Sequence, residues 1–87
     1  MSYIVTIKRS AEKELDALSP GTFERVKETI LLLELEPRPN GCRKLRGAEE
    51  YRLRVGAYRI LYTVDDKQRL VEIMSVGHHR DVYRGRK

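Results

Sequence analysis

The strongest constraint on the fold is a hairpin pattern in the second half of the chain. Apolar residues alternate with polar ones on both sides of the dipeptide Gly56-Ala57. This period of two is typical of strands that bury one face, and a two-residue connection containing glycine is typical of a β-hairpin. The apolar positions are Tyr51, Leu53, Val55, Tyr58, Ile60, Tyr62 and Val64. The pattern therefore predicts two antiparallel strands that share an apolar face.

Two further strands are predicted, one near the N-terminus and one after the hairpin. Tyr3, Val5 and Ile7 form an alternating, β-branched and aromatic stretch. Alternation from residue 70 to residue 76 predicts the last strand. Strict alternation places Val71, Ile73 and Ser75 on one face and Leu70, Glu72, Met74 and Val76 on the other.

Between the first strand and the hairpin, the apolar spacing is helical. Ser10 is a suitable N-cap for a first helix, and Ser19 with Pro20 starts a second helix that should end at Glu36-Pro37. The predicted core face of the second helix is Phe23, Val26, Ile30 and Leu33. A second apolar group, Leu31, Leu32 and Leu35, widens this face. The helix is then either more buried than a small sheet requires or carries a partner-binding surface.

These elements predict an α+β fold in one domain over residues 1–87. An N-terminal strand and a helical hairpin precede an antiparallel sheet of three sequential strands, and the helices pack on one face. The single cysteine, Cys42, excludes an intramolecular disulfide and fits a reducing cytosol. Without a long apolar run or secretory signal, we expect a cytoplasmic protein with no membrane contact.

Positive charge is concentrated in the second half of the chain. The formal net charge is +5. The first 42 residues carry six basic and seven acidic side chains, whereas the remainder carries twelve basic and six acidic ones. This distribution favours a polyanionic partner.

The hairpin register predicts that Arg54 faces Arg59 across the two strands, on the side opposite the apolar residues. Like charges in that position destabilise a sheet by some tenths of a kcal/mol, and a bound anion would remove the conflict. Arg52 lies on the same face, and further cations precede the strand at Arg43, Lys44 and Arg46. The alternative is an ordinary solvated strand face, partly neutralised by Glu72.

The direction of the last strand brings His78 and His79 to the Arg54/Arg59 end of the sheet, with Tyr83 shortly after. A histidine transfers protons near neutral pH, whereas an arginine stays charged and stabilises an anionic transition state. Tyr83 is either a packing residue or a ring that stacks on a base. No third ligand is apparent for a zinc site, so we expect neither metal nor cofactor.

Taken in order, the second-half motifs resemble the RelE/ParE toxin superfamily, nearest to RelE. They are Lys44-Leu45-Arg46-Gly47, Tyr51-Arg52-Leu53-Arg54, Tyr58-Arg59-Ile60-Leu61-Tyr62, and Ser75 to Tyr83 with the sequence SVGHHRDVY. The resemblance implies a metal-independent ribonuclease that enters the ribosomal A site and cleaves messenger RNA with the adjacent 2′-hydroxyl as nucleophile.

The resemblance also implies roles for individual residues. Arg52 and Arg54 stand where RelE-like toxins have RNA-contacting basic residues, commonly lysines. Arg59 matches the arginine that stabilises the phosphate, and Tyr83 matches a tyrosine that stacks on the base or assists leaving-group protonation. Substrate-binding positions are expected at Lys44, Arg46, His78 and Arg80. The segment from Gly77 to Tyr83 is shorter than in well-known members, and we expect His79, or failing that His78, to transfer the proton.

Two other functions are compatible with the sequence. A ParE-type gyrase poison shares the fold but needs no converging phosphate site. A nonenzymatic nucleic-acid-binding module would use the basic sheet for affinity alone and show a steep salt dependence. The resemblance implies as partners the ribosome, messenger RNA and an antitoxin that forms a hetero-oligomer with the toxin. That antitoxin should present acidic and apolar residues to the basic face or the leucine-rich helix.

Overall fold

The computed structural model describes residues 2–45 and 49–78. These residues form five strands and two helices, and the elements in chain order are β1 (Ile4–Ile7), α1 (Arg9–Asp16), α2 (Pro20–Leu32), β2 (Arg43–Lys44), β3 (Glu50–Val55), β4 (Tyr58–Asp65) and β5 (Leu70–His78). The predicted α+β fold is confirmed.

The strands form one sheet in the order β1-β5-β4-β3-β2. β1 pairs with β5 in parallel, and the three other pairings are antiparallel. The three sequential strands of the prediction are β3, β4 and β5. The two-residue strand β2, which was not predicted, adds an edge to the sheet beside β3.

The core lies between the two helices and one face of the sheet. α1 contributes Ala11 and Leu15, α2 contributes Val26 and Ile30, and Leu33 directly follows α2 as its C-cap. Tyr62, Ile60, Ile73, Val71 and Val76 are the largest sheet residues that are completely buried against them. Because all of these side chains lie on one face, neither described helix covers the opposite face of the sheet, as predicted, and we call that side the open face.

The helix boundaries differ from the predicted ones. α1 begins at Arg9 with Lys8 as its N-cap, not at Ser10. Ser19 is the N-cap of α2 with Pro20 at its first position, as predicted, although its hydroxyl bonds to Thr22 Oγ1 at 3.1 Å and to no backbone N–H. α2 ends at Leu32, earlier than Glu36-Pro37, because turn hydrogen bonds such as Leu33 N–H to Ile30 C=O replace the helical ladder.

A bulge in β5 breaks the predicted alternation of the last strand. Leu61 pairs with Ser75 and Tyr62 pairs with Ile73, so Met74 is an additional residue in β5. Consequently Val76, and not Ser75, follows Ile73 into the core, where it is 1% exposed.

The second apolar group, at the end of α2 and in the turn that follows, is exposed. Leu31, Leu32 and Leu35 keep 49%, 63% and 75% of their surface accessible, whereas Leu33 is completely buried. Of the two predicted alternatives, additional burial of the helix is therefore wrong. Neither described helix has the length and apolar character needed to cross a membrane.

Candidate functional site

The hairpin of β3 and β4 has the predicted register. Val55 pairs with Tyr58 and Arg54 pairs with Arg59, on either side of the Gly56-Ala57 turn. Gly56 has a φ of +60°, which fits a turn with glycine at its first central position. The turn therefore places two guanidinium groups opposite each other on the open face of the sheet.

Four arginines meet around one surface pocket of about 410 Å³ on this face. The pocket is lined by Asn40, Gly41, Arg43, Arg52, Leu53, Arg54 and Arg59. Arg43 reaches it because β2 pairs with β3 and sets Arg43 opposite Arg52. Planar guanidinium groups match the geometry of phosphate oxygens, so the pocket has the chemistry of a site for a phosphorylated ligand.

Arg59 is the buried member of this group, with 7% of its surface exposed. Its pKa is lowered from the usual arginine value, first because burial desolvates the guanidinium and then because the charges of Arg52 and Arg54 repel it. The usual value lies so far above neutrality that Arg59 stays protonated. A phosphate bound beside Arg59 would offset both of these effects on the guanidinium.

Hydrogen bonds at Pro37 and Arg38 anchor the start of the loop that contributes Asn40 and Gly41 to the pocket. The Tyr62 hydroxyl donates to the Pro37 carbonyl at 2.8 Å. Arg38 donates to both carboxylate oxygens of Asp66, at 3.1 and 2.9 Å, and through Nε to the Tyr51 hydroxyl at 2.9 Å. These contacts join the loop to β3, β4 and the turn before β5, and they fix the wall of the pocket.

The open face is basic at one end and acidic at the other. Glu50 and Glu72 both lie opposite Thr63, in a row at the far end from the Arg54/Arg59 pair. Glu72 is also paired with Thr6 of β1. It therefore does not lie beside that pair, as the alternative of an ordinary neutralised strand face would require.

The structure does not bring every predicted site residue to the pocket. His78 lies at the predicted end of the sheet, but it pairs with Tyr58 and its ring meets the Tyr58 ring edge-on at 5.8 Å between centroids. Because Tyr58 is a neighbour of Arg59 in one strand, its side chain points to the opposite face. His78 is therefore not in contact with the arginine pocket.

Lys44 is also outside the pocket. It pairs with Tyr51, and its Nζ forms an ion pair with Glu49 Oε2 at 3.2 Å. The residue that reaches the pocket from β2 is its neighbour Arg43. Strand β2 is only two residues long, so its sequence lacked the alternation that would have distinguished Arg43 from Lys44. Four predicted site residues, Arg46, His79, Arg80 and Tyr83, lie outside the described residues.

Among residues 2–45 and 49–78, no group of three or more His, Cys, Asp or Glu side chains is arranged to hold a metal ion. The chemistry of the described pocket is that of its guanidinium groups. They provide positive charge and hydrogen-bond donors but no group that exchanges a proton near neutral pH.

Comparison with known proteins gives consistent matches. Residues 5–83 match the family model of the ParE toxin of the type II toxin–antitoxin system parDE. Toxin RelG of Mycobacterium tuberculosis is 35% identical over 97% of this chain and 99% of its own length. The putative toxin RelE1 of Methanocaldococcus jannaschii is 30% identical over 97% and 98% of the two chains. The solved toxin–antitoxin complex RelBE2 of M. tuberculosis contains a chain with a TM-score of 0.80 and 32% identity, covering 90% of this chain and 99% of that one.

Proposed function

The chain belongs to the RelE/ParE superfamily of type II toxin–antitoxin toxins and is of the RelE type, and on this premise we propose that it is an endoribonuclease. Its proposed substrate is messenger RNA in the ribosomal A site, which it cleaves without a metal ion, and cleavage inhibits translation. The observation that carries the proposal is the pocket formed by Arg43, Arg52, Arg54 and Arg59 on the open face of the sheet.

In the proposed reaction the 2′-oxygen attacks the adjacent phosphorus and the bond to the 5′-oxygen breaks. The 2′-hydroxyl loses a proton and the leaving oxygen gains one, so the products are a 2′,3′-cyclic phosphate and a 5′-hydroxyl. Arg59 stabilises the negative charge that develops on the phosphate, and burial strengthens this effect because water screens the guanidinium less. Arg52 and Arg54 bind the RNA backbone and orient the attacking group.

Arginines do not exchange protons at neutral pH, so another residue has to perform the two proton transfers. We assign this step to His79, and base stacking or assistance to the leaving group to Tyr83. Arg46 and Arg80 contribute backbone contacts. These four assignments rest on the chemistry of the residue types and on the family resemblance.

Besides messenger RNA on the ribosome, the proposed partner is an antitoxin that silences the toxin. The two proteins would form a hetero-oligomer in the cytoplasm. Two features of the described surface support an acidic and apolar binding partner. The arginine pocket offers positive charge, and Leu31, Leu32 and Leu35 offer an exposed apolar surface. Expression of the chain without this antitoxin should arrest growth, and normal growth at high expression would contradict the toxin function.

The test of the enzymatic proposal is primer extension on a defined messenger, with and without programmed ribosomes. Wild type should cut at A-site codons only when ribosomes are present. Arg59→Ala should cut about 10²- to 10³-fold more slowly, the usual effect of removing one transition-state donor. Arg9→Ala, which removes the same charge from an exposed position on α1, should cut at the wild-type rate.

Intact RNA in every lane would contradict the nuclease proposal. The same protein would then be assayed for inhibition of DNA gyrase supercoiling, the activity expected of a ParE-type poison. Binding of RNA that weakens with salt, without cleavage and without gyrase inhibition, would instead indicate a nonenzymatic binding module.

A further inference from the structure

The arginine pocket contains two like-charged cross-strand pairs, one next to the other. Arg43 lies opposite Arg52 across β2 and β3, and Arg54 lies opposite Arg59 across β3 and β4. All four side chains line the same pocket. A single like-charged pair can be an accident of surface composition, but two adjacent pairs on one face concentrate four guanidinium groups around one pocket.

One phosphate at the Arg54/Arg59 pair would engage only two of these four guanidinium groups. The Arg43/Arg52 pair is one row further along β3, because Arg52 and Arg54 are separated by two residues of a single strand. That separation is about 7 Å, which is similar to the distance between consecutive phosphates of an extended single strand. Each pair offers two guanidinium forks to the oxygens of one phosphate.

We propose that the pocket binds two consecutive phosphates of one RNA strand, one at each arginine pair, and that Arg43 is a binding residue for the second phosphate. The RNA backbone then follows β3. This inference rests on the proposed nuclease function, and it adds a second binding site to the phosphate that is cleaved at Arg59.

The position of Arg43 is fixed by contacts that precede it in the chain. Arg38 is held by Asp66 and Tyr51, and Pro37 is held by Tyr62. The loop continues through Asn40 and Gly41, where Gly41 has a φ of +93°, and Cys42 N–H donates to the Pro39 carbonyl at 3.1 Å. The chain therefore enters β2 in a defined direction, and less conformational entropy is lost when Arg43 binds a ligand.

The acidic row limits the number of phosphates that this face accepts. Glu50 follows Arg52 in the direction away from Arg54, and Glu72 lies in the same row opposite Thr63. A third phosphate continuing along β3 would approach the Glu50 carboxylate, which repels it, and Glu72 adds negative charge two strands away. The described face is therefore matched to two phosphates and not to a long polyanion.

The test measures how affinity depends on the number of phosphates. Trinucleotides, dinucleotides and tetranucleotides with 2′-O-methyl riboses and no terminal phosphates carry two, one and three phosphates and cannot be cleaved. Binding at low salt is followed by NMR titration of the purified toxin. Wild-type affinity should rise steeply from one phosphate to two and little from two to three.

Arg43→Ala should weaken trinucleotide binding by about tenfold, the loss expected for one charge-assisted contact, and weaken dinucleotide binding much less, because a single phosphate can still bind at the Arg54/Arg59 pair. The salt dependence for the trinucleotide should fall by about 0.7 in log–log slope. Arg9→Ala is the control for the loss of one positive charge, and it should leave both affinities unchanged.

Three outcomes would overturn the inference. If Arg43→Ala weakens both oligonucleotides equally, or neither, Arg43 does not bind a second phosphate, and the nuclease proposal is unaffected. If affinity keeps rising steeply from two phosphates to three, the site is not limited to two. If wild type binds no oligonucleotide at all, RNA recognition by this face fails together with the inference, and primer extension then decides whether any nuclease activity remains.

Discussion

The Glu14 carboxylate of α1 accepts a hydrogen bond from the backbone N–H of Val76 in β5, at 2.8 Å from Oε1. The Ser75 hydroxyl donates to the same oxygen at 3.2 Å. Parallel pairing with β1 extends along β5 only to Ile73, so Glu14 supplies an acceptor beyond the end of that pairing. One residue further along β5, Gly77 lies opposite Arg59, and α1 therefore supports the strand end that borders the site.

Replacement of Glu14 should destabilise the protein. Glu14→Ala removes the acceptor of a partly buried N–H, and we expect the free energy of unfolding to fall by about 1 to 2 kcal/mol. Glu14→Gln keeps an acceptor oxygen and should lose about half as much. Urea unfolding measures both, with the exposed Glu12→Ala on the same helix as control. Equal stability of Glu14→Ala and Glu12→Ala would show that the hydrogen bond contributes nothing.

The Tyr3–Asp66–Arg38 network should make stability depend on pH at both extremes. Hydrogen bonds from Arg38 and then from Tyr3 lower the pKa of Asp66. The contribution of ionised Asp66 to the free energy of unfolding is therefore complete above its unfolded pKa of about 4. It is lost as the pH falls through the lower pKa of the folded state. The hydrogen bond to Asp66 raises the pKa of Tyr3, so the contribution of Tyr3 is complete below about pH 10 and is lost above it.

The measurement is the urea midpoint of unfolding from pH 2.5 to 11 in wild type, Asp66→Asn and Tyr3→Phe. Asp66→Asn should flatten the loss at both extremes, because both pKa shifts depend on its carboxylate. Tyr3→Phe should remove the alkaline loss and retain most of the acid one, since Arg38 still bonds to Asp66. Three superimposable pH profiles would contradict a role for this network.

Truncation of Leu33 and of Leu35, two leucines that follow α2, should change the free energy of unfolding by very different amounts. Leu33 is completely buried, and Leu33→Ala should cost about 2 to 5 kcal/mol through lost burial and the resulting cavity. Leu35 is 75% exposed, and Leu35→Ala should change stability by no more than about 0.5 kcal/mol. Urea unfolding tests the pair, and a large loss from Leu35→Ala would mean that the exposed surface is already covered in the isolated protein.

The hairpin turn should not tolerate a side chain at Gly56. Its φ is +60°, and an added Cβ would lie 3.4 Å from the Arg25 guanidinium. Gly56→Ala should therefore cost about 1 to 2 kcal/mol, mainly from the left-handed backbone. Gly21 lies in α2 with open space around it, so Gly21→Ala should be neutral or stabilise by up to about 1 kcal/mol. Thermal unfolding of the two variants should show shifts of opposite sign or clearly unequal size.

The adjacent histidines should differ in their effect on cleavage. His78 packs against Tyr58 on the face away from the pocket, so His78→Ala should retain the wild-type rate on programmed ribosomes. His79→Ala should lose about 10²- to 10⁴-fold, the usual contribution of a general acid or base. Wild-type rates should also depend on pH between 5 and 8. A flat pH profile with full activity in both variants would remove histidine from the mechanism.

The sequence by itself determined the parts of the protein that depend on short-range patterns. Turn length and alternation fixed the β3–β4 register, and with it the Arg54/Arg59 pair, because a two-residue loop allows few pairings and a shift by one residue would expose every core side chain. Ser19-Pro20 marked the start of α2 for an equally local reason, since proline at the first helical position loses no hydrogen bond.

Only the tertiary structure decided the contacts between distant segments. The two-residue strand β2 has too few residues to show a pattern, and its pairing with β3 alone selects Arg43 over Lys44 for the pocket. The bulge at Met74 depends on packing Val76 into the core beside Ile73, which alternation within β5 does not reveal. Likewise, only the packed structure distinguishes the buried Leu33 from the exposed Leu35. The pairing of β2, the bulge in β5 and the exposure of Leu35 depend on the free energy of the whole packed structure. The pattern within a single segment of the sequence therefore does not predict them.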